Sequence, residues 1–130
     1  MFVYDTVTNS THEATSMPQG LGGYAMTTLT NDTLLVCGGY ERGVYMYACS
    51  LYVVGVNTWA FFASMPAGVA FFTMLTLYDR PYIFGGTNSS LVISKLVYTF
   101  ETNTWNARAN MVKGLITHSA VVVDADTALL

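Results

Sequence analysis

The chain has 130 residues, of which 52% are hydrophobic and only 10% charged, and its net charge is −3; an ordinary globular domain carries about 25% charged residues. Its five cations, Arg42, Arg80, Lys95, Arg108 and Lys113, are scattered, so no basic surface is available to neutralise phosphates and nucleic-acid binding is not expected. The most apolar stretch, residues 67–78, is interrupted by Thr73 and Thr76 and falls short of the roughly 20 residues a membrane helix needs, so no membrane span is expected.

One phrase recurs along the chain at intervals of 46 to 48 residues. It begins at Tyr4, Tyr52 and Tyr98. An Asn stands five residues on (Asn9, Asn57, Asn103), then Trp59 or Trp105, with Thr11 in the eroded first copy, and finally Met17, Met65 or Met111. A period in this range marks a repeat architecture whose units cannot bury their apolar faces alone. Residues 1–17 form the end of one unit. Residues 18–65 form a whole unit, with strands predicted at about 22–29, 33–39, 47–54 and 58–63. Residues 66–111 form a second, with strands at about 69–76, 81–86, 93–100 and 104–109. Residues 112–130 begin another, with a strand at about 116–123, and Asp126-Thr127-Ala128-Leu129-Leu130 repeats Asp32-Thr33-Leu34-Leu35-Val36. β-Branched and aromatic residues dominate these runs and turn residues separate them, while no capped helical periodicity is present.

Two apolar runs close on glycine pairs, Gly38-Gly39 and Gly85-Gly86, where a side chain would obstruct a bulge or a close backbone approach. The Asn before each Trp is expected in a turn that needs a left-handed backbone. Tyr and Trp, broad plates with one polar tip, suit the wedge between adjacent sheets.

The apolar runs ending in Gly-Gly, the spaced Tyr, the turns Asn57-Thr58-Trp59 and Asn103-Thr104-Trp105 and Ser64-Met65-Pro66 together resemble the kelch repeat over nearly the whole chain. The resemblance implies an all-β fold of antiparallel four-stranded kelch-type blades stacked radially as a β-propeller. At this period the chain holds about 2.8 blades, whereas the smallest usual ring has roughly four. An incomplete propeller is therefore expected, a piece of a larger one, its remaining blades supplied by a parent chain or by another chain. The end blades would then expose apolar faces and unpaired edges.

Chemistry-bearing groups are sparse. His118 repeats the positions of Tyr24 and Phe72, which reads as a core or channel ring, and His12 lies in the eroded turn. Asp5, Asp32, Asp79, Asp124 and Asp126 fall at turns, where Asp caps its own backbone. Gly20-Leu21-Gly22-Gly23 lacks the remaining glycine and lysine of a phosphate loop. Cys37 and Cys49 are too few for a zinc site. They fall on neighbouring strands, where a bridge is conceivable, but are expected to be buried thiols. No catalytic residue, cofactor or metal is expected. Sequons at Asn9, Asn31 and Asn88 lie in predicted turns and would suit a secreted chain.

The expected function is non-catalytic: a protein-interaction module or scaffold that binds a protein or peptide on one loop face. That face gathers the loops 40–46 and 87–92 and the links 18–21, 66–69 and 112–115. Candidate contact residues are Gln19, Tyr40, Glu41, Arg42, Tyr45, Asn88, Ser89 and Lys113, with Tyr and Arg favoured as anchors. The two tyrosines could equally cover a blade edge. Kelch adaptors often carry an Arg four residues after the Met, where this chain has Leu21, Val69 and Leu115, which argues against an acidic-peptide pocket of that kind. By resemblance the alternative is an enzyme propeller like galactose oxidase or sialate mutarotase, with its active residues outside this chain.

Overall fold

The structure, a computed structural model, describes residues 1–18 and 22–130. Among the described residues every regular element is a strand and all pairing is antiparallel, so the fold is all-β, with several sheets and none of those described closed. Among the described residues no helix is long and apolar enough to cross a membrane. First comes a hairpin of β1 (Phe2–Asp5) and β2 (Ser10–Glu13). A four-stranded meander follows, β3 (Ala25–Thr30), β4 (Thr33–Cys37), β7 (Cys49–Val53) and β8 (Thr58–Phe62). Between its middle strands lies a small ribbon of β5 (Tyr40–Glu41) and β6 (Val44–Tyr45). A second meander contains β9 (Thr73–Leu77), β10 (Arg80–Phe84), β11 (Val97–Glu101) and β12 (Thr104–Ala107). A hairpin of β13 (Val121–Asp124) and β14 (Thr127–Leu129) ends the chain.

Side chains alternate across each sheet, and the two meanders pack face to face. Ala25, Leu35, Cys37 and Cys49 of the first and Met74, Ile83 and Trp105 of the second share one buried cluster, joined by Met65 and Phe72. Polar groups tie the same interface. The Thr76 hydroxyl donates to the Thr28 carbonyl (2.5 Å), and the Trp105 indole N–H donates to the carbonyl of Ala63 (3.0 Å). The first hairpin is tied to the first meander in the same manner, because the Trp59 indole donates to Thr15 O (3.1 Å).

The glycine pairs do what their spacing requires. Gly39 N–H donates to Val69 O, and Gly86 N–H donates to Leu115 O (2.9 and 2.8 Å). A Cβ on Gly38 or Gly85 would strike those same carbonyls, and both glycines have positive φ (61° and 70°). Asn9, Asn57 and Asn103 are all left-handed, with φ of 53°, 52° and 61°. The Tyr52 hydroxyl donates to Asn57 Oδ1 (2.7 Å), and Tyr4 makes the same bond to Asn9.

Several expectations need correction. The first strand of each unit starts later than predicted: β3 at Ala25, β9 at Thr73 and β13 at Val121. The backbone turns left-handed at Gly23, Phe71 and Thr117 (φ 64°, 58° and 49°), and this repeated kink interrupts strand pairing. Tyr98 is not the structural counterpart of Tyr52. Tyr52 lies opposite Trp59, whereas Phe100 lies opposite Trp105 and Tyr98 opposite Ala107. The third copy closes with the two left-handed residues Thr102 and Asn103 where the second uses residues 54–57, so the register moves by two. A slip of two keeps every side chain on its original face. Asp32 caps a different turn from its own, accepting from Gly55 N–H (2.9 Å). Finally, Cys37 and Cys49 form a disulfide. They are directly opposed on β4 and β7 with Cα atoms 4.1 Å apart. The backbone bond from Gly38 N to Ala48 O makes the adjacent pair the hydrogen-bonded one. The cysteines thus occupy a non-hydrogen-bonded pair, where side chains lie closest.

Candidate functional site

Loops and links of both kinds meet at one end of the two meanders. In the first, Val69 N–H donates to Met46 O (3.0 Å) and Gly68 lies against the Tyr45 carbonyl, where no Cβ would fit. In the second, Leu115 N–H donates to Ser94 O (3.3 Å) and Gly114 lies against Ile93. Reciprocal bonds between Ala70 and Thr87 join the two sets. Beside them a small cavity of about 60 Å³ lies between the link 65–69 and the second meander, with Pro66, Val69, Thr87, Asn88 and Ser94 among its walls.

The segment 40–45 is a hairpin rather than an irregular loop. Arg42 and Gly43 have φ of 48° and 90°, the left-handed pair that a tight two-residue hairpin turn requires. Glu41-Arg42-Gly43-Val44 carried that signal, a Gly at the second turn position. Tyr40 and Tyr45 are directly opposed, their rings edge to face with centroids 5.1 Å apart. The ribbon is anchored from below by bonds between Tyr40 and Gly22 in both directions (2.7 and 3.0 Å). Arg42 stands exposed at the tip. The ion pairs of the described residues both fall on Glu101, with Arg80 and Arg108, and Glu41 and Arg42 do not pair.

The other candidates are spread along this end. Asn88 and Ser89 are exposed, and Asn88 Oδ1 accepts from Ser90 N–H (2.9 Å), holding its own turn. Lys113 is exposed in the link before Leu115. Gln19 lies outside the described residues.

His118 is half-buried, its ring nitrogens are enclosed without a hydrogen-bond partner, and burial pushes its pKa below the usual 6.5. Its carbonyl accepts from the Thr73 hydroxyl (3.2 Å). His12 is exposed on β2. The amides of Thr8 and Val7 hold the Asp5 carboxyl below its ordinary range. Among the described residues no three His, Cys, Asp or Glu side chains gather as a metal site would require.

A larger groove, about 400 Å³, was not expected. It lies on the face of the first meander turned away from the second, lined by Met17, Val36, Ser50, Trp59 and Phe61 among others, with Phe61 99% exposed. The alternation of exposed and buried residues could not reveal it, because both faces of this meander are apolar and only the packing decides which is covered.

No protein-family model matches the chain, and no curated protein matches it significantly.

Proposed function

We propose that the chain is a kelch-type propeller segment serving as a non-catalytic scaffold that binds a protein or peptide at the loop end. The observation that carries the reading is the recurrence of one set of contacts at the repeat period: the indole-to-carbonyl bonds of Trp59 and Trp105, and the approach of Val69 and Leu115 to the glycine pairs. Radial stacking of like sheets requires such a recurrence. The loop end supplies the recognition surface, with Tyr40, Tyr45 and Arg42 as rigid aromatic and cationic anchors on a tight ribbon, and Asn88, Ser89 and Lys113 as neighbouring polar contacts. The Cys37–Cys49 disulfide and the exposed sequon at Asn31 support an oxidising, secretory compartment. The remaining sheets of the ring come from flanking sequence or from another chain.

Panning a displayed random-peptide library against the protein tests the site. Selected peptides should lose at least about tenfold in affinity, roughly 1.4 kcal/mol, to the combined Tyr40→Ala, Arg42→Ala and Tyr45→Ala variant while its melting temperature stays unchanged. Peptides that bind the variant as well as the original protein would move the site elsewhere. A collapsed melt would show the tyrosines to be structural.

A further inference from the structure

Charge is divided between the two ends of the molecule. Of the eight carboxylates, Asp5, Asp32, Asp79, Glu101, Asp124 and Asp126 lie in or beside the hairpin turns, at the end opposite the loops, and Glu13 closes the outer strand β2. Glu41 alone stands at the loop end. The cations divide the other way. Arg80 and Arg108 both pair with Glu101. The remaining three, Arg42, Lys95 and Lys113, are exposed, have no ion-pair partner among the described residues and all stand at the loop end. A chain of net charge −3 thus has one end where cations outnumber carboxylates.

The backbone brings these three cations onto adjoining segments. Arg42 lies in the turn of the β5–β6 ribbon. Lys95 lies on the segment returning to β11, with the link that carries Lys113 beside it: Met111 N–H donates to Lys95 O (2.8 Å) and Leu115 N–H to Ser94 O (3.3 Å). The ribbon and these segments are joined through the link 66–70, where Val69 N–H donates to Met46 O and Ala70 pairs with Thr87. Each cation has an exposed aliphatic side chain within two residues. Val44 (57% exposed) follows Arg42, Ile93 (51%) precedes Lys95 and Val112 (98%) precedes Lys113. The link positions that face the glycine pairs carry no charge, being Val69 and Leu115, so the cations stand around the loop end rather than at its inner links.

Resting on the loop-end site proposed above, we infer that its partner is an acidic peptide segment that mixes carboxylates with apolar side chains. An uncharged partner covering Arg42, Lys95 and Lys113 would strip water from three cations and return no counter-charge, which costs free energy. A purely acidic one would leave Val44, Ile93 and Val112 in water and forgo the gain of covering them. A mixed segment meets both demands. Its carboxylates accept from the planar guanidinium fork of Arg42 and from the two ammonium groups, which act as point charges. Its apolar side chains pack on the aliphatics and on the Tyr40–Tyr45 pair. The field works in the same sense at longer range, because the acidic turn end repels such a segment and the loop end attracts it, while basic segments meet like charge at the site.

Panning a displayed random-peptide library against the protein identifies the class. Selected peptides should be enriched over the input in Asp and Glu together with aliphatic or aromatic residues. Their affinity should fall roughly tenfold in the combined Arg42→Gln, Lys95→Gln and Lys113→Gln variant, which loses three exposed ion pairs. A comparable loss should appear in the original protein as salt rises from about 0.1 M to about 1 M and the screening length shrinks from about 10 to about 3 Å. The variant should melt as the original protein does, since all three side chains are exposed. Neutral or basic peptides that still lose affinity to the paired Tyr40→Ala and Tyr45→Ala variant would overturn the acidic class and leave the loop-end site standing. Peptides indifferent to both variants would remove both. An empty selection also overturns the acidic class. Sedimentation with vesicles of phosphatidylserine and phosphatidylcholine, lost in the charge variant, would then assign the three cations to a lipid surface instead.

Discussion

Met26 and Met74 hold the same repeat position on the same face of their respective meanders, opposite Val36 and Ile83. Met74 is 4% exposed and Met26 44%. Strand and pairing are alike; what differs is the cover. The second meander lies against a whole sheet, with Leu35 and Cys37 pressed on Met74, Ile83 and Trp105. On the face that carries Met26, the first meander has only the segment after the outer hairpin β1–β2, which reaches Trp59 through Thr15 and leaves the inner strands open. In a stacked-sheet protein, burial belongs to the interface rather than to the residue, and one side chain contributes differently according to the sheet beside it.

The largest contrast should come from those methionines. Met74→Ala removes buried atoms and leaves a cavity, which costs about 2–5 kcal/mol; Met26→Ala should cost less than about 1 kcal/mol. Urea denaturation of the dilute protein measures both. Near-equal losses would mean the first meander is already covered.

Next comes the disulfide, which the first meander carries on its covered face and the second does not. Closing the loop between Cys37 and Cys49, 12 residues apart, restricts the unfolded chain by about 3 kcal/mol in the entropic account. The paired Cys37→Ala and Cys49→Ala variant should lower the urea midpoint by a corresponding amount. A midpoint that neither this variant nor a reductant moves would show that the bond contributes nothing.

A smaller contrast separates the indoles. Trp105→Phe deprives a buried interface of its bond to Ala63 and should cost about 1–2 kcal/mol. Trp59→Phe loses the bond to Thr15 at a wetter site and should cost about 0.5 kcal/mol. Equal costs would place the two tryptophans in equivalent surroundings.

The smallest effect concerns His118, whose enclosed ring favours the neutral form. Well above pH 6.5 both folded and unfolded chains hold it uncharged and it contributes no pH dependence. Below that, the unfolded state takes up the proton first, so stability should fall until the folded-state pKa is passed. His118→Phe, the residue that the repeat places at Phe72, should flatten the slope just below pH 6.5. Asp5 does not confuse this window, since its depressed pKa acts only below the ordinary carboxylate range, where stability is lost as the pH falls.

Much of the local architecture was legible because it is written in short-range chemistry. Left-handed Asn at three turns, glycine pairs against passing carbonyls and strands bounded by turn residues follow from φ preferences and steric room, which a few neighbouring residues dictate. The loop end was legible as a place but not as a shape. Tyr40 to Tyr45 form a paired ribbon because Arg42-Gly43 can turn tightly, and the oppositely charged Glu41 and Arg42 ignore each other while Glu101 collects both ion pairs. The two-residue slip that puts Phe100 in the seat of Tyr52 escaped the spacing of Tyr, Asn and Trp, because a shorter turn and a shifted register leave the same faces apolar.

Residue order alone thus determined the strands, their turns and the rhythm that makes each unit a copy of the last, since these depend on backbone sterics and alternation within a few residues. Only the folded arrangement decided that Cys37 meets Cys49, that Met74 is covered while Met26 is not, and that an apolar groove stays open on the first meander. Each of these depends on which distant segment lies alongside, and no local preference encodes that.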